Sequence, residues 1–272
     1  MEFVSRYVSK KPDIRGFVEY DQSEHDVWQT LYERQIKLIP DYACPEFIAG
    51  ITALDLSPEQ IPQLPDVNFR LAQLTGWEVQ SVEALISAEA FFTLLANRIF
   101  PAATFIRTME ELDYVKEPDI FHELFGHCPL LTVPVYADFM QRYALMVLAS
   151  PPEHWRLLQR MFWFTVEFGL IKTRHGNRAY GGGILSSFQE TQYCITSDKA
   201  ERLPFDPLTI LRTPYRIDML QPVYFVIDDF EELFQLVDSD FTLWIQEAQR
   251  LGELPARFEG DPNDPNIHIL AC

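Results

Sequence analysis

Two stretches of this chain carry residue types that could do chemistry. One is Pro118-Asp-Ile-Phe-His-Glu-Leu-Phe-Gly-His-Cys-Pro129; the other is Trp163-Phe-Thr-Val-Glu-Phe-Gly169. Together they offer two imidazoles, His122 and His127, and one carboxylate, Glu167. Two neutral histidines and a carboxylate form the facial donor set that holds Fe(II) on one side and leaves the opposite coordination positions open. Open positions let O2 meet a reductant at the metal, so the set points to oxygenase chemistry.

The spacing constrains how the first stretch is built. His122 and His127 are five residues apart. On an ideal α-helix five residues turn about 500°, so the two side chains diverge by roughly 140° and climb about 7.5 Å. Two ligands to one ion require the helix to end or deform between them. Gly126 and Pro129 predict an ending, since glycine loosens the last turn and proline lacks the N–H needed to continue it. The spacing also excludes the HExxH zinc-protease pattern, whose histidines stand at i and i+4, because position 126 is glycine. An alternative stays open at this point: Glu123 and His127 as an ordinary helical acid–histidine pair, with His122 buried and hydrogen-bonded. Glu167 sits among apolar neighbours, where an unpaired carboxylate is costly. It is therefore either a metal ligand or the partner of an arginine such as Arg160 or Arg174.

The elements that would position these residues read as mostly α with small β-sheets, in a single domain over 1–272. Helices are expected from Ser23 through Leu38, after Ser57-Pro58 (a cap followed by proline), over Val67 to Leu74, after Ser87, from Pro118-Asp119, and over Ala137 to Leu148. Ser150-Pro-Pro-Glu153 predicts the start of a helix running towards Gly176. Short strands are expected at Ile184-Leu185, Ile210-Leu211 and Val223 to Ile227. A last helix is expected over Phe230 to Leu251, with a proline-marked extended tail beyond. Gly181-Gly-Gly183 lacks the P-loop lysine and the GxGxxG spacing, so close backbone packing or positive φ is the expected use of its glycines.

Composition bounds the function. With 47% hydrophobic residues and a formal charge of −18, the chain can bury a large core and makes a poor partner for nucleic acid or an anionic membrane. No run of apolar residues is long enough to span a bilayer. The N-terminal segment Met1 to Asp13 has no apolar central stretch, so no secretory signal is expected. Cys44, Cys128, Cys194 and Cys272 form no CxxC pair, which predicts reduced thiols and a cytoplasmic protein.

Three motifs in order, His122-Glu-Leu-Phe-Gly-His127, Trp163 to Gly169, and Ala179-Tyr-Gly-Gly-Gly-Ile-Leu-Ser-Ser-Phe-Gln-Glu190, resemble those of the pterin-dependent aromatic amino acid hydroxylases, as does Gln221-Pro-Val-Tyr. The likeness covers roughly 67–237. It implies a mostly helical catalytic domain in its short bacterial form, without the regulatory domain or the tetramerisation helix of animal members, and hence a monomer or homodimer. It implies Fe(II) held by His122, His127 and Glu167, with tetrahydropterin (tetrahydrobiopterin or a relative) as electron donor and O2 as co-substrate.

Residue by residue, the same resemblance places Phe91, Glu123 and Tyr215 on the pterin side, although Phe91 beside Phe92 also suits simple core packing. It places Arg107 on the substrate carboxylate, a role that competes with a structural ion pair. Pro118, Trp163 and Phe168 become walls of the aromatic pocket, and Ser186 a contact to substrate or to the ligands' surroundings. Glu190 is expected to support a histidine ligand through its second ring nitrogen. Phe162 stands where animal members carry tyrosine. Ile217 falls where phenylalanine-type members are apolar and tyrosine-type members acidic, so L-phenylalanine converted to L-tyrosine, a step of phenylalanine catabolism, is the expected reaction. Tryptophan or tyrosine as substrate, and a zinc-dependent hydrolase on the same three residues, are the alternatives.

Overall fold

The computed structural model describes residues 7–84 and 86–259. The first long helix, Gln22–Ile36, starts one residue before Ser23. Asp21 is its N-cap, accepting from the Glu24 amide while the Glu24 carboxylate reaches back to the Asp21 amide. Its apolar side buries Val27, Trp28, Leu31 and Tyr32. Ser87 caps the helix Ala88–Ala96, which lies against the helix Pro134–Ala149. The helix Leu64–Leu74 ends before Gly76, whose φ of +73° suits a residue without a Cβ.

Among the described residues there are two small sheets. Strands β1 (Glu78–Val82) and β2 (Ile99–Ala103) pair in parallel. The second sheet has the order β4-β3-β6-β5, from β3 (Gly169–Thr173), β4 (Gly176–Ala179), β5 (Glu201–Pro204) and β6 (Val223–Ile227). Only β3–β4 is antiparallel.

The motif segment runs through the centre of the core. Phe121 and Phe125 stack at 4.8 Å, Trp28 meets Phe121 edge-on at 5.3 Å, and Tyr32 and Phe47 flank Phe125. The backbone on its far side is equally crowded: a Cβ on Gly50, in the helix Pro45–Ala53, would lie 2.1 Å from the Pro129 carbonyl oxygen. Aromatic packing on one side and backbone contact on the other leave this segment little room to shift.

Several expectations from the sequence do not hold. No helix starts at Ser57-Pro58: Pro62 disfavours the helical conformation at Ile61, and the helix waits until Leu64. The helix launched near Ser150 becomes regular over Trp155–Phe162 and stops at Glu167; beyond it come β3 and its turn, and Gly176 already opens β4. Ile184-Leu185 and Ile210-Leu211 lie in short helices, Gly182–Leu185 and Pro207–Arg212, whereas Val223 to Ile227 is the strand expected. The final helix is two helices, Phe230–Asp238 and Phe241–Leu251, because Asp240 caps a new start. The tail beyond Glu259 and residues Met1 to Arg6 lie outside the described residues. Among the described residues, no helix is long and apolar enough to cross a membrane, and Cys44, Cys128 and Cys194 are free thiols.

Candidate active site

The helix carrying the histidines does not end between them; it widens. Residues His122–His127 form a π-turn, in which the Cys128 amide reaches back five residues to the Glu123 carbonyl, and regular helix resumes over Cys128–Leu131. A hydrogen bond from i to i−5 brings residues five apart onto one face, which a 3.6-residue turn cannot do. The ending expected from Gly126 and Pro129 is thus corrected to a deformation. Pro129 is tolerated because it falls in the first turn of the resumed helix. Glu167 is presented by a second π-turn, Trp163–Glu167, closed by the Phe168 amide on the Trp163 carbonyl at 2.8 Å.

These two turns bring the three side chains together. The Nε2 atoms of His122 and His127 are 3.0 Å apart. Glu167 Oε1 lies 3.3 Å from His127 Nε2, and Oε2 lies 3.8 Å from His122 Nε2. The arginine alternatives for Glu167 fall away: Arg160 pairs with Glu253 and donates to the Leu211 carbonyl, and Arg174 contacts His175.

The tautomer of His122 follows from its neighbour. Ser186 Oγ donates to the Gly182 carbonyl at 2.8 Å, so its oxygen is left to accept from His122 Nδ1–H at 2.9 Å. The proton sits on Nδ1 and the Nε2 lone pair faces the other two donors. Burial, then the neighbouring His127, lowers the His122 pKa to about 4, so the ring is neutral at pH 7. Burial pushes Glu167 upward, but the two imidazoles and the Gly183 amide outweigh it and hold the carboxyl below its ordinary value. A neutral His122 beside a carboxyl whose charged form is favoured suits a divalent metal.

Glu123 also lies close, within 4.8 Å of the two histidines' ligand atoms. Burial, then the charges of Glu167 and Asp119, raise its pKa well above the carboxylate range. Its charged form is thus disfavoured where that of Glu167 is favoured, and Glu167 is the better third donor. Gly182 makes room for the cluster, since a Cβ there would stand 2.3 Å from His127 Cε1. Close packing, rather than positive φ, is what the Gly181–Gly183 run provides.

The cluster opens into a cavity of about 390 Å³. Arg107, Pro118, His122, Trp163, Glu167, Phe168, Ser186 and Glu190 line it, as does Ile217. Phe91, Glu123 and Tyr215 do not. Phe91 packs edge-on against Phe92 and Phe162 at 5.3 and 5.6 Å, and Tyr215 stacks behind Trp163 at 4.6 Å. Arg107 is a fork on Asp119, with Nε to Oδ2 at 2.7 Å and Nη2 to Oδ1 at 2.8 Å, so the ion pair and the place on the cavity wall coexist. The expected role of Glu190 is corrected. Its carboxylate accepts from the Gln221 amide at 3.0 Å and from the Tyr224 hydroxyl, while Ser186 takes the second nitrogen of His122.

A sequence pattern for the biopterin-dependent aromatic amino acid hydroxylases matches residues 5–250. The chain belongs to that family. It is 52% identical to the phenylalanine-4-hydroxylase of Pseudomonas aeruginosa over 91% of this chain and 94% of that one. It is 44% identical to the phenylalanine-4-hydroxylase of Vibrio cholerae over 94% and 89%. The solved phenylalanine hydroxylase of Legionella pneumophila superposes with a TM-score of 0.91 at 59% identity, covering 93% of this chain and all of that one. That of Chromobacterium violaceum with bound oxidised Fe(III) gives 0.86 at 39%, covering 93% and 94%. Members of this family use Fe(II), a pterin and O2, and the donor set found here fits such an iron.

One functional position was missed in the sequence. Asp119 is fully buried, grips Arg107 three times through Nε, Nη2 and the backbone amide, and accepts from the His122 amide at 3.0 Å. The signal was there: an aspartate after proline, three residues before His122, is an N-cap pattern.

Ser186 yields a direct prediction. Ser186→Ala removes the acceptor that fixes the His122 tautomer, and such partners are typically worth about 10–100-fold in metal affinity. Iron affinity measured by competition with a chelator is expected to fall within that range; an unchanged affinity would show that the Ser186 contact does not orient the ring.

Proposed function

We propose that this protein is a phenylalanine 4-monooxygenase, converting L-phenylalanine to L-tyrosine with Fe(II), tetrahydropterin and O2. One observation carries the reading: two imidazoles and a carboxylate converge at a cavity walled by Trp163, Phe168, Pro118 and Ile217. When bound, the iron and the pterin supply the electron chemistry that puts an oxygen atom from O2 onto the ring. The protein's share is placement and exclusion of water.

His122, His127 and Glu167 would hold the iron. Arg107, kept charged and rigid by Asp119, would receive the substrate carboxylate, a task suited to a guanidinium. Trp163, Phe168 and Pro118 would bracket the ring, with Ser186 holding His122 beside it. Ile217 offers no partner for a para-hydroxyl, and an unpaired buried hydroxyl costs about 1–3 kcal/mol on mutational scales, which favours phenylalanine over tyrosine. Glu123, Phe91 and Tyr215 are assigned to the pterin side on their motif positions. Nearness to the histidines supports Glu123 in this. We place the protein in the cytoplasm as a single catalytic domain, monomeric or dimeric.

The test is a product assay on protein loaded with Fe(II) and given tetrahydropterin and O2, with phenylalanine, tyrosine and tryptophan side by side. Tyrosine formed from phenylalanine, at higher kcat/KM than any product from the other two, is expected. No tyrosine from protein with one iron per chain would refute the assignment.

A further inference from the structure

Two walls of the cavity come from distant parts of the chain, and one buried side chain joins them. Trp163 and Phe168 stand on and beside the π-turn that bears Glu167. Opposite in sequence, Ile217, Asp218, Met219 and Leu220 line the cavity from a segment with no helix or strand hydrogen bonds of its own. Something other than a ladder must hold that segment in place.

Gln221 does so with its backbone amide and both polar atoms of its side chain. Its Oε1 accepts from the Trp163 indole Nε1–H at 3.1 Å. Its Nε2 donates to the Arg216 carbonyl at 2.7 Å and to the Met219 carbonyl at 2.9 Å. Its backbone amide donates to Glu190 Oε1, and the same oxygen accepts from the Tyr224 hydroxyl. Gln221 is 1% exposed and Glu190 4%. A buried amide with both hydrogens and its oxygen satisfied is a rigid junction, and breaking one arm leaves the others without their geometry.

We propose that Gln221, seated on Glu190, is a positioning residue for the hydroxylation: it fixes the spacing between the Trp163 wall and the 216–220 segment, and so the pose of the aromatic substrate before the metal cluster. The inference rests on the monooxygenase reading above. Gln221 is neither in the donor cluster nor on the cavity wall, so its effects should appear in substrate pose. A ring displaced by about 1 Å is enough to cost orders of magnitude in a positioned reaction. Pterin oxidation without hydroxylation is then the expected failure.

The experiment compares the wild type with Gln221→Met, which keeps length and volume and removes all three side-chain hydrogen bonds. Gln221→Met is expected to raise KM for phenylalanine about tenfold, the size expected for buried hydrogen bonds left unmade. The ratio of tyrosine formed to tetrahydropterin oxidised should fall to about half of wild type or lower. KM for the pterin and iron per chain should not change. A folded, iron-loaded Gln221→Met with wild-type KM and product ratio overturns the proposal. A purely structural role would lower the unfolding midpoint and leave both ratios of the folded protein alone. If Gln221→Met does not fold, Gln221→Glu serves: it keeps the Trp163 acceptor and loses amide hydrogens to the loop. It is expected to lower the product ratio with a smaller KM change, and an unchanged ratio counts against the proposal. Wild-type protein that makes no tyrosine would sink the functional reading instead, so the two failures are separable.

Discussion

Glu167→Gln is expected to strip the protein of iron and to lower tyrosine formation by more than about a hundredfold. Loss of a partner one bond further from a metal already costs about 10–100-fold, and the direct donor should cost more. The amide keeps the shape of the side chain and removes the charge that its surroundings are arranged to favour: the two imidazoles and the Gly183 amide hold this carboxyl ionised against the pull of burial. The fold should survive, since the neighbours of Glu167 are packed apolar side chains and no arginine loses a partner. Glu123→Gln is the informative comparison. Glu123 lies within 4.8 Å of the histidines, but burial and the neighbouring carboxylates disfavour its charged form, so a neutral amide should leave iron binding close to wild type. Iron per chain after dialysis, measured on both variants, distinguishes the two carboxylates. Iron retained by Glu167→Gln and lost by Glu123→Gln would invert the assignment of the third donor.

The three donors were readable in the chain because metal chemistry restricts residue types so severely. Their presentation was less so. Arguments from periodicity assume 3.6 residues per turn, and with that assumption the five-residue gap between His122 and His127 looked like the end of a helix. The π-turn satisfies the gap without ending anything, and Glu167 stands on a second one. No local propensity marks either turn, and both lie within packed aromatic rings, Phe121 on Phe125 and Phe164 on Phe225.

Strand β3 was lost for a related reason. Gly169 to Thr173 continues a strong helical start signal, and pairing with β4 on one side and with β6, 56 residues later, on the other turns Leu170 and Ile171 into a strand. Strands β1 and β2 were missed because Pro101 and the half-exposed Glu78-Val-Gln-Ser-Val82 carry little strand signal. Caps, by contrast, are local chemistry, and Ser87 was read correctly from sequence alone. Glu190 shows the limit of motif reasoning for polar networks: its type and burial were legible, but its partners, Gln221 and Tyr224, lie 31 and 34 residues away.

Asp119→Ala should be the most damaging single change to stability. It leaves the Arg107 guanidinium, 6% exposed, without its counter-charge, and it frees the His122 amide. Breaking one side of a buried pair costs about 3–5 kcal/mol. For a chain of this size about 2–4 °C of Tm goes with each kcal/mol, so a fall of about 10 °C is expected by calorimetry. The pH dependence has a definite sign. Burial raises the Asp119 pKa, but the Arg107 charge and hydrogen bonds outweigh it, and the net shift is downward. A carboxylate depressed in the folded state stabilises above its unfolded pKa of about 3.9, and loses that contribution as pH falls through the folded value. The stability gap between wild type and Asp119→Ala, from urea unfolding, should therefore be flat between about pH 8 and 5 and shrink only below about pH 4. A gap that closes instead near neutral pH would mean that a different group is titrating. A Tm equal to wild type would mean that Arg107 finds another anion. Activity should fall together with stability, because the same aspartate fixes the start of the turn that carries His122 and aims the guanidinium on the cavity wall.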